Sequence, residues 1–380
     1  MRSYGRQSIS DVDIDAVVNA LRSDFLTQGP AVTLFEQALS DYTGANYGVA
    51  VNSATSALHI ACLALGVAPG DQVWTVANTF VASANCARMC GAVVDFVDID
   101  ASTGNLCISS LETKLEQAEL TGHLPKVLIP VHFAGQSCDM EEVNRLAKKF
   151  KFHVIEDASH ALGGSYKRSK IGCCRYSDIT VFSFHPVKMI TTAEGGMAVT
   201  NNEELAHRMR SYASHGIERT PLSAEEPWSY SQTDLGYNYR MPDICAALGQ
   251  SQLQQLDSWV ERRNMLATRY NETFTASSVQ PLTVSEHNLC SYHIYVVKVP
   301  PKQRLRIFNT LKAEGIGVQI HYVPVYKQPF YKSLFNGPSF SLEQTENYYA
   351  SCLTLPLYPS LSEHEQDTII NKLLNVLNSN

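Results

Sequence analysis

Between residues 48 and 200 the chain carries seven short apolar segments, at 48–51, 73–76, 93–97, 127–131, 153–156, 179–183 and 197–200, separated for the most part by runs of helical spacing. Two parallel strands need a crossover between them, and a helix is the usual one. The alternation therefore predicts an α/β fold, a large mostly parallel sheet covered by helices. The run Lys126-Val127-Leu128-Ile129-Pro130-Val131 is almost continuously apolar, which suits a strand buried on both faces, with Pro130 at its end rather than its middle.

Two helices precede this region. Ser10 can cap the first, whose apolar residues Ile14, Val17, Val18 and Leu21 fall at i, i+3, i+4 and i+7. Gly29-Pro30 breaks the chain, and a second helix follows with Phe35, Ala38, Leu39 and Tyr42 before stopping near Gly44. Past about residue 215 the rhythm lapses into a polar stretch, Ser223-Ala224-Glu225-Glu226-Pro227, which reads as a hinge. Beyond it come a long helical pattern over 244–274, a strand at 294–299, a helix around 305–314, a strand at 318–321 and a closing helix after Ser362. A chain of 380 residues exceeds the usual reach of one core. The expected division is a large α/β domain over 1–240, then a helical linker and small C-terminal α+β domain over 241–380.

Composition excludes several classes. The formal charge of −7 comes with no basic stripe, so nucleic acid is not an expected partner. The opening Met1-Arg2-Ser3-Tyr4-Gly5-Arg6-Gln7 lacks the apolar core of a signal peptide, and the small-apolar run over 58–68 is too short to cross a bilayer. It reads as a buried helix, with no membrane involved. Ten cysteines, scattered apart from Cys173-Cys174, give neither a disulfide framework nor zinc-site spacing, so no metal is expected and a cytoplasmic setting fits. Cys62, Cys86, Cys90 and Cys245 stand among small apolar residues, as small hydrophobes do.

In open α/β sheets ligands collect beyond the carboxyl ends of strands. Four strand exits stand out. Asn52-Ser53-Ala54-Thr55-Ser56 opens a helix and turns N–H groups and hydroxyls toward an anion, or simply caps that helix. Asn78-Thr79-Phe80 offers an aromatic ring that either stacks on a ligand or packs in the core. Glu156-Asp157-Ala158-Ser159-His160 places a carboxylate at an exit, where ligand binding, metal ligation and capping are all open. Ser183-Phe184-His185-Pro186-Val187-Lys188 puts a lysine in an apolar, glycine-bearing setting, where it is either a surface residue or one with a task. His185 reads as a packing residue. Together these segments supply what pyridoxal 5′-phosphate needs: an amine for its aldehyde, a carboxylate for its ring nitrogen and a helix N-terminus for its phosphate.

At this point the chain resembles the DegT/StrS group of nucleotide-sugar aminotransferases, which have the aspartate-aminotransferase-like fold, fold type I of the pyridoxal-phosphate-dependent transferases. The resemblance runs nearly end to end. Leu26-Thr27-Gln28-Gly29-Pro30, Asn52 to Leu58, Glu156-Asp157-Ala158-Ser159-His160-Ala161, Ser183 to Lys188, Glu194-Gly195-Gly196, Gly236-Tyr237-Asn238-Tyr239-Arg240 and Gln319-Ile320-His321-Tyr322 carry it. The resemblance implies that Lys188 bonds the cofactor aldehyde and then serves as the proton-moving base, while Asp157 pairs with the ring nitrogen. It implies that Phe80 stacks on the ring, that Ala54, Thr55 and Ser183 hold the phosphate, and that His160 is a further cofactor contact. Asn238 is expected to reach the cofactor of a neighbouring subunit, which makes a homodimer with shared active sites.

Tyr4-Gly5-Arg6-Gln7-Ser8-Ile9 and Thr191-Thr192-Ala193-Glu194-Gly195-Gly196 are similar to those of group members that aminate a UDP-linked 4-keto-6-deoxy sugar with L-glutamate as donor. Met189 departs from the proline or small residue usual after the lysine, which alters local packing and leaves the amine in place. Tyr4, Arg6, Gln28, Tyr237, His293 and His321 are the candidate sugar contacts. Four alternatives bear on this reading. Sugar dehydratases on this fold carry histidine where Lys188 stands. A nicotinamide dehydrogenase would show G-x-G-x-x-G after the first strand, which is missing. A non-catalytic cofactor-binding regulatory protein stays open, as does another 4-keto sugar of the bacillosamine type.

Overall fold

The computed structural model describes residues 3–218, 226–334 and 342–379. Its main sheet has seven strands, β1 (Tyr47–Val51), β2 (Gln72–Val76), β3 (Val93–Val97), β4 (Val127–Ile129), β5 (His153–Asp157), β6 (Ile179–Ser183) and β7 (Gly196–Thr200), in the spatial order β1-β7-β6-β5-β4-β2-β3. All seven expected strands form. β4 stops just short of Pro130, which has no N–H for a ladder. Of the stretch read as a hinge, Ser223, Ala224 and Glu225 lie outside the described residues.

Strand direction creates the site. β2, β3, β4, β5 and β6 run parallel, whereas β7 is antiparallel to both β6 and β1. The carboxyl ends of β1, β2, β5 and β6 therefore share one edge, and the first residue of β7 comes back to it. Gly196 accordingly pairs with Val51 at the end of β1 and with Ser183 at the end of β6.

The helices α1 (Asp11–Arg22), α2 (Pro30–Thr43), α3 (Ala54–Ala64), α4 (Ala82–Met89), α5 (Ile108–Thr121), α6 (Met140–Phe150) and α7 (Glu203–Ala213) surround the sheet. Helix α3 buries Ala57, Leu58, His59, Ile60, Ala61 and Cys62 in sequence, as expected of a chain segment apolar all round. Cys62, Cys86 and Cys90 belong to the core, while Cys245 is half-buried; every cysteine among the described residues is free. Ser10 closes a capping box with Asp13 on α1. The apolar stripe of α1 is not buried, however: Ile14 and Leu21 are exposed, and the buried residues are Asp13 and Ala20.

Toward the C-terminus the single helical run expected over 244–274 is two helices, α8 (Asp243–Leu253) and α9 (Leu256–Phe274). A three-stranded antiparallel sheet joins Gln280–Pro281, Tyr295–Lys298 and Cys352–Leu355, flanked by helices Pro301–Ala313 and Glu363–Asn378. Leu266, Tyr270, Phe274, Val297, Leu311, Leu353 and Ile369 form a core of their own there. The strand expected at 318–321 does not form; Gln319 alone bridges Thr354, and the chain turns so that His321 and Tyr322 face the main sheet's carboxyl edge.

Candidate active site

Lys188 sits in the connection from β6 to β7. Its N–H donates to His185 O at 2.8 Å, Thr192 N–H closes back on Phe184 O at 3.0 Å, and Phe184, Met189 and Ile190 are buried beneath it. The loop is further held by Thr191 N–H, which donates to Gln252 Oε1, while the same amide side chain donates to Asp13 on α1 at 2.7 Å. Burial lowers the Lys188 amine to about 8, against the pull of the Asp157 carboxylate, which favours the ammonium. A lysine so placed is no surface residue; near neutral pH it holds an appreciable neutral fraction.

Asp157 ends β5 and is buried. Ser83 Oγ donates to its Oδ2 at 2.6 Å and Ser159 N–H to its Oδ1 at 3.1 Å, so the carboxylate is fixed yet keeps lone pairs toward Lys188. Neighbouring Glu156 points the other way and is consumed by structure. Burial opposes its charge, but His132 Nε2 at 2.6 Å, Ser177 and Thr180 overcome this and hold it ionised. Among the described residues no group of His, Cys, Asp or Glu is placed to hold a metal ion.

The anion end lies at the start of α3. Ser53 caps it through Ser56 N–H, and the N–H groups of Ala54 and Thr55 have no earlier turn to bond. Gly196 packs directly on this terminus; a Cβ there would sit 2.4 Å from Ala54 N. Because Gly196 also pairs with Ser183, the serine side chain, the small-residue strand end and the helix N-terminus share one corner. Phe80, which follows β2, is 58% exposed, with its ring 6.4 Å from the Tyr322 ring.

Three histidines feel the charge of Lys188. The His160 and His293 rings meet at a tilt, 4.5 Å between centroids, and burial presses both well below the usual imidazole range, while burial takes His321 to about 3. Lys188 lowers each of them further. They are neutral hydrogen-bonding groups, not cations. Tyr4 edges onto His321 at 5.1 Å, and Arg6 lines a small crevice with Lys188, Gln252 and Arg263. Other candidates lie elsewhere. Gln28 is on the exposed turn before α2, Tyr237 stacks on Tyr239 at 5.0 Å beside His59, and Asn238 is exposed where the chain bridges Ser214.

Two further contacts of the site are made across the fold: one by Ser83, which no motif marks, and one by Tyr322, which ends the Gln319-Ile320-His321-Tyr322 segment. Ser83 reaches Asp157 from the first turn of α4, and Tyr322 places its hydroxyl 3.0 Å from His160 Nε2. Both are brought in by long-range folding, so no local spacing reveals what they contact.

Residues 7–374 match the model of the DegT/DnrJ/EryC1/StrS aminotransferase family. The chain is 38% identical over 382 residues to the UDP-4-amino-4,6-dideoxy-N-acetyl-beta-L-altrosamine transaminase of Campylobacter jejuni, covering 99% of this chain and 98% of that protein. Among solved structures, Helicobacter pylori PseC, an aminotransferase involved in the biosynthesis of pseudoaminic acid, superimposes with a TM-score of 0.91 at 31% identity, covering 100% of this chain and 99% of that one. Spr1654 of Streptococcus pneumoniae, described as a sugar aminotransferase and solved in its PMP form, gives 0.89 at 32% identity, covering 98% of both chains.

Proposed function

Because the chain belongs to the DegT/DnrJ/EryC1/StrS aminotransferase family, we propose that it moves the amino group of L-glutamate to C-4 of a UDP-linked 4-keto-6-deoxy-N-acetylhexosamine, the β-L-arabino 4-ketose of pseudaminic acid synthesis. The resident cofactor is pyridoxal 5′-phosphate. One observation carries the reading: a lysine amine lowered to about 8 by burial stands within the field of a buried, serine-held carboxylate. End-to-end similarity to an altrosamine transaminase supports the choice of sugar.

The residues present fit the cofactor. When bound, pyridoxal phosphate supplies an aldehyde and a ring that takes up the electron pair of a substrate carbon. Lys188 Nζ would hold that aldehyde and serve as the proton-moving base; an amine lowered to about 8 gives up and regains its proton near neutrality. Asp157, kept in place by Ser83 and Ser159, holds the proton on the ring nitrogen. Ala54, Thr55 and Ser183 bind the phosphate at the helix terminus. Phe80 covers one ring face, and His160 is the further cofactor contact. His293, His321, Tyr4, Arg6, Gln28 and Tyr237 remain the sugar-side candidates.

The active assembly is a homodimer in which Asn238 reaches the partner's cofactor phosphate. Support comes from apolar side chains left outside: Phe25, Leu26, Trp228, Tyr230 and Leu235 are all more than half exposed. No described helix is long and apolar enough to cross a membrane. The ten free cysteines suit a reducing cytoplasm. The test is an assay of several UDP-4-keto-6-deoxy sugars with glutamate, following 2-oxoglutarate and the product epimer. Amination of the β-L-arabino 4-ketose is the expected result; its refusal alongside acceptance of a D-xylo 4-ketose would overturn the sugar and keep the reaction.

A further inference from the structure

We infer that Tyr322 is a positioning residue of this reaction, acting through His160. The inference rests on the pyridoxal-phosphate reading of the pocket. His160 follows Asp157 by one helical turn's spacing at the exit of β5, and Tyr322 arrives from a segment 162 residues further on, its hydroxyl 3.0 Å from His160 Nε2. Tyr322 is itself anchored independently of that bond. Its N–H donates to Asn78 Oδ1 at 3.0 Å, and its ring edges onto Phe133 at 6.2 Å and His321 at 4.7 Å. The Asn78 loop also holds the next stretch of chain, since Val325 N–H donates to Ala77 O at 3.0 Å. A hydroxyl held by such a frame fixes the imidazole; it does not follow it.

The bond also selects a tautomer. His160 Nδ1 is buried and has no hydrogen-bond partner among the described residues. A buried N–H without an acceptor is rarer than a bare lone pair. The proton therefore belongs on Nε2, which donates to the phenol oxygen. Burial and the nearby Lys188 keep the imidazole neutral, with His321 adding to the effect. Burial, Tyr4 and Asp157 keep the phenol protonated. The groups facing the pair are thus Lys188, His293 and His321 on the imidazole side and Tyr4 and Asp157 on the phenol side. The pair stays neutral across the range in which Lys188 changes charge, and presents a dipole of fixed direction beside it.

Tyr322→Phe keeps the ring and its packing and removes only the hydroxyl. The readout is the pH titration of bound-cofactor absorbance without substrate, in the pyridoxal-phosphate-loaded parent, Tyr322→Phe, His160→Ala and the double variant, with kcat and KM alongside. We expect Tyr322→Phe to move the titration midpoint by about half a unit and lower kcat roughly threefold to tenfold at little change in KM, the worth of one neutral hydrogen bond. In the His160→Ala background, or His160→Asn should the alanine variant fold poorly, the same substitution should move neither quantity. A parent-like titration in Tyr322→Phe, or an equal shift in both backgrounds, overturns the inference. A parent that takes up no pyridoxal phosphate fails the cofactor reading first, and this inference falls with it.

Discussion

Asp157 is buried, with one oxygen taking Ser83 Oγ and the other Ser159 N–H, whereas Asn238 lies exposed on a segment shared with Trp228 and Leu235, which are 78% and 77% exposed. The two regions belong to one proposed site but are built to different degrees. Around Lys188 and Asp157 each polar group is set by its own chain: strand end, loop closure, serine donor, buried support. Around Asn238 the chain supplies a side chain and an apolar surround with nothing packed on it. The difference fits the proposed homodimer, in which one subunit would fix the charges and the second copy would complete the walls, since an apolar surface of that kind calls for a partner.

The sharpest break of this comparison is Lys188→Ala, which should lower transamination at least about a thousandfold while leaving the fold intact, checked by turnover and circular dichroism. Asp157→Asn comes next. It keeps the shape but removes the charge, and should cost roughly a hundredfold to a thousandfold in kcat with a smaller change in cofactor affinity.

Asn238→Ala tests the other region. Alone it should weaken activity roughly tenfold through the phosphate it no longer holds. Mixed and reassociated with Lys188→Ala chains at equal amounts, it should recover about a quarter of parental turnover, because half the dimers are hybrids and one of their two sites is intact. Turnover of only about a twentieth of the parent's, the residual activity of the Asn238→Ala chains diluted twofold, would place Asn238 in its own chain's site. Gly196→Ala tests the phosphate corner from the backbone side. A Cβ there meets Ala54 N at 2.4 Å, so the start of α3 must shift, and cofactor affinity measured by equilibrium titration should fall about tenfold.

The legible parts of this molecule were those written in local pattern. Strands buried on both faces are apolar runs, Pro130 ends β4 because it lacks an N–H, and the Ser10 cap is a four-residue signal. Lys188 and Asp157 drew attention in the sequence because Asp157 stands at the end of a strand and Lys188 in the loop after one. The break between α8 and α9 falls at Gln254-Gln255, where no glycine or proline marks it, so the helical pattern runs through. The run 318–321 has strand composition, yet its residues turn toward the pocket instead of pairing. Ser83 and Tyr322 depend on contacts 74 and 162 residues away, and only the assembled sheet brings them in. The apolar stripe of α1 obeys the helical period, yet its ends, Ile14 and Leu21, stay exposed while Val17 and Val18 are half-buried, because periodicity tells that a face is apolar and not what covers it.

The proposed reaction requires a covalent bond between pyridoxal phosphate and one amine. Borohydride reduction of the cofactor-saturated protein, followed by peptide mapping, tests it directly. The label should fall on the peptide containing Lys188 and vanish in Lys188→Ala. A label on a different lysine, or none in a saturated sample, contradicts it.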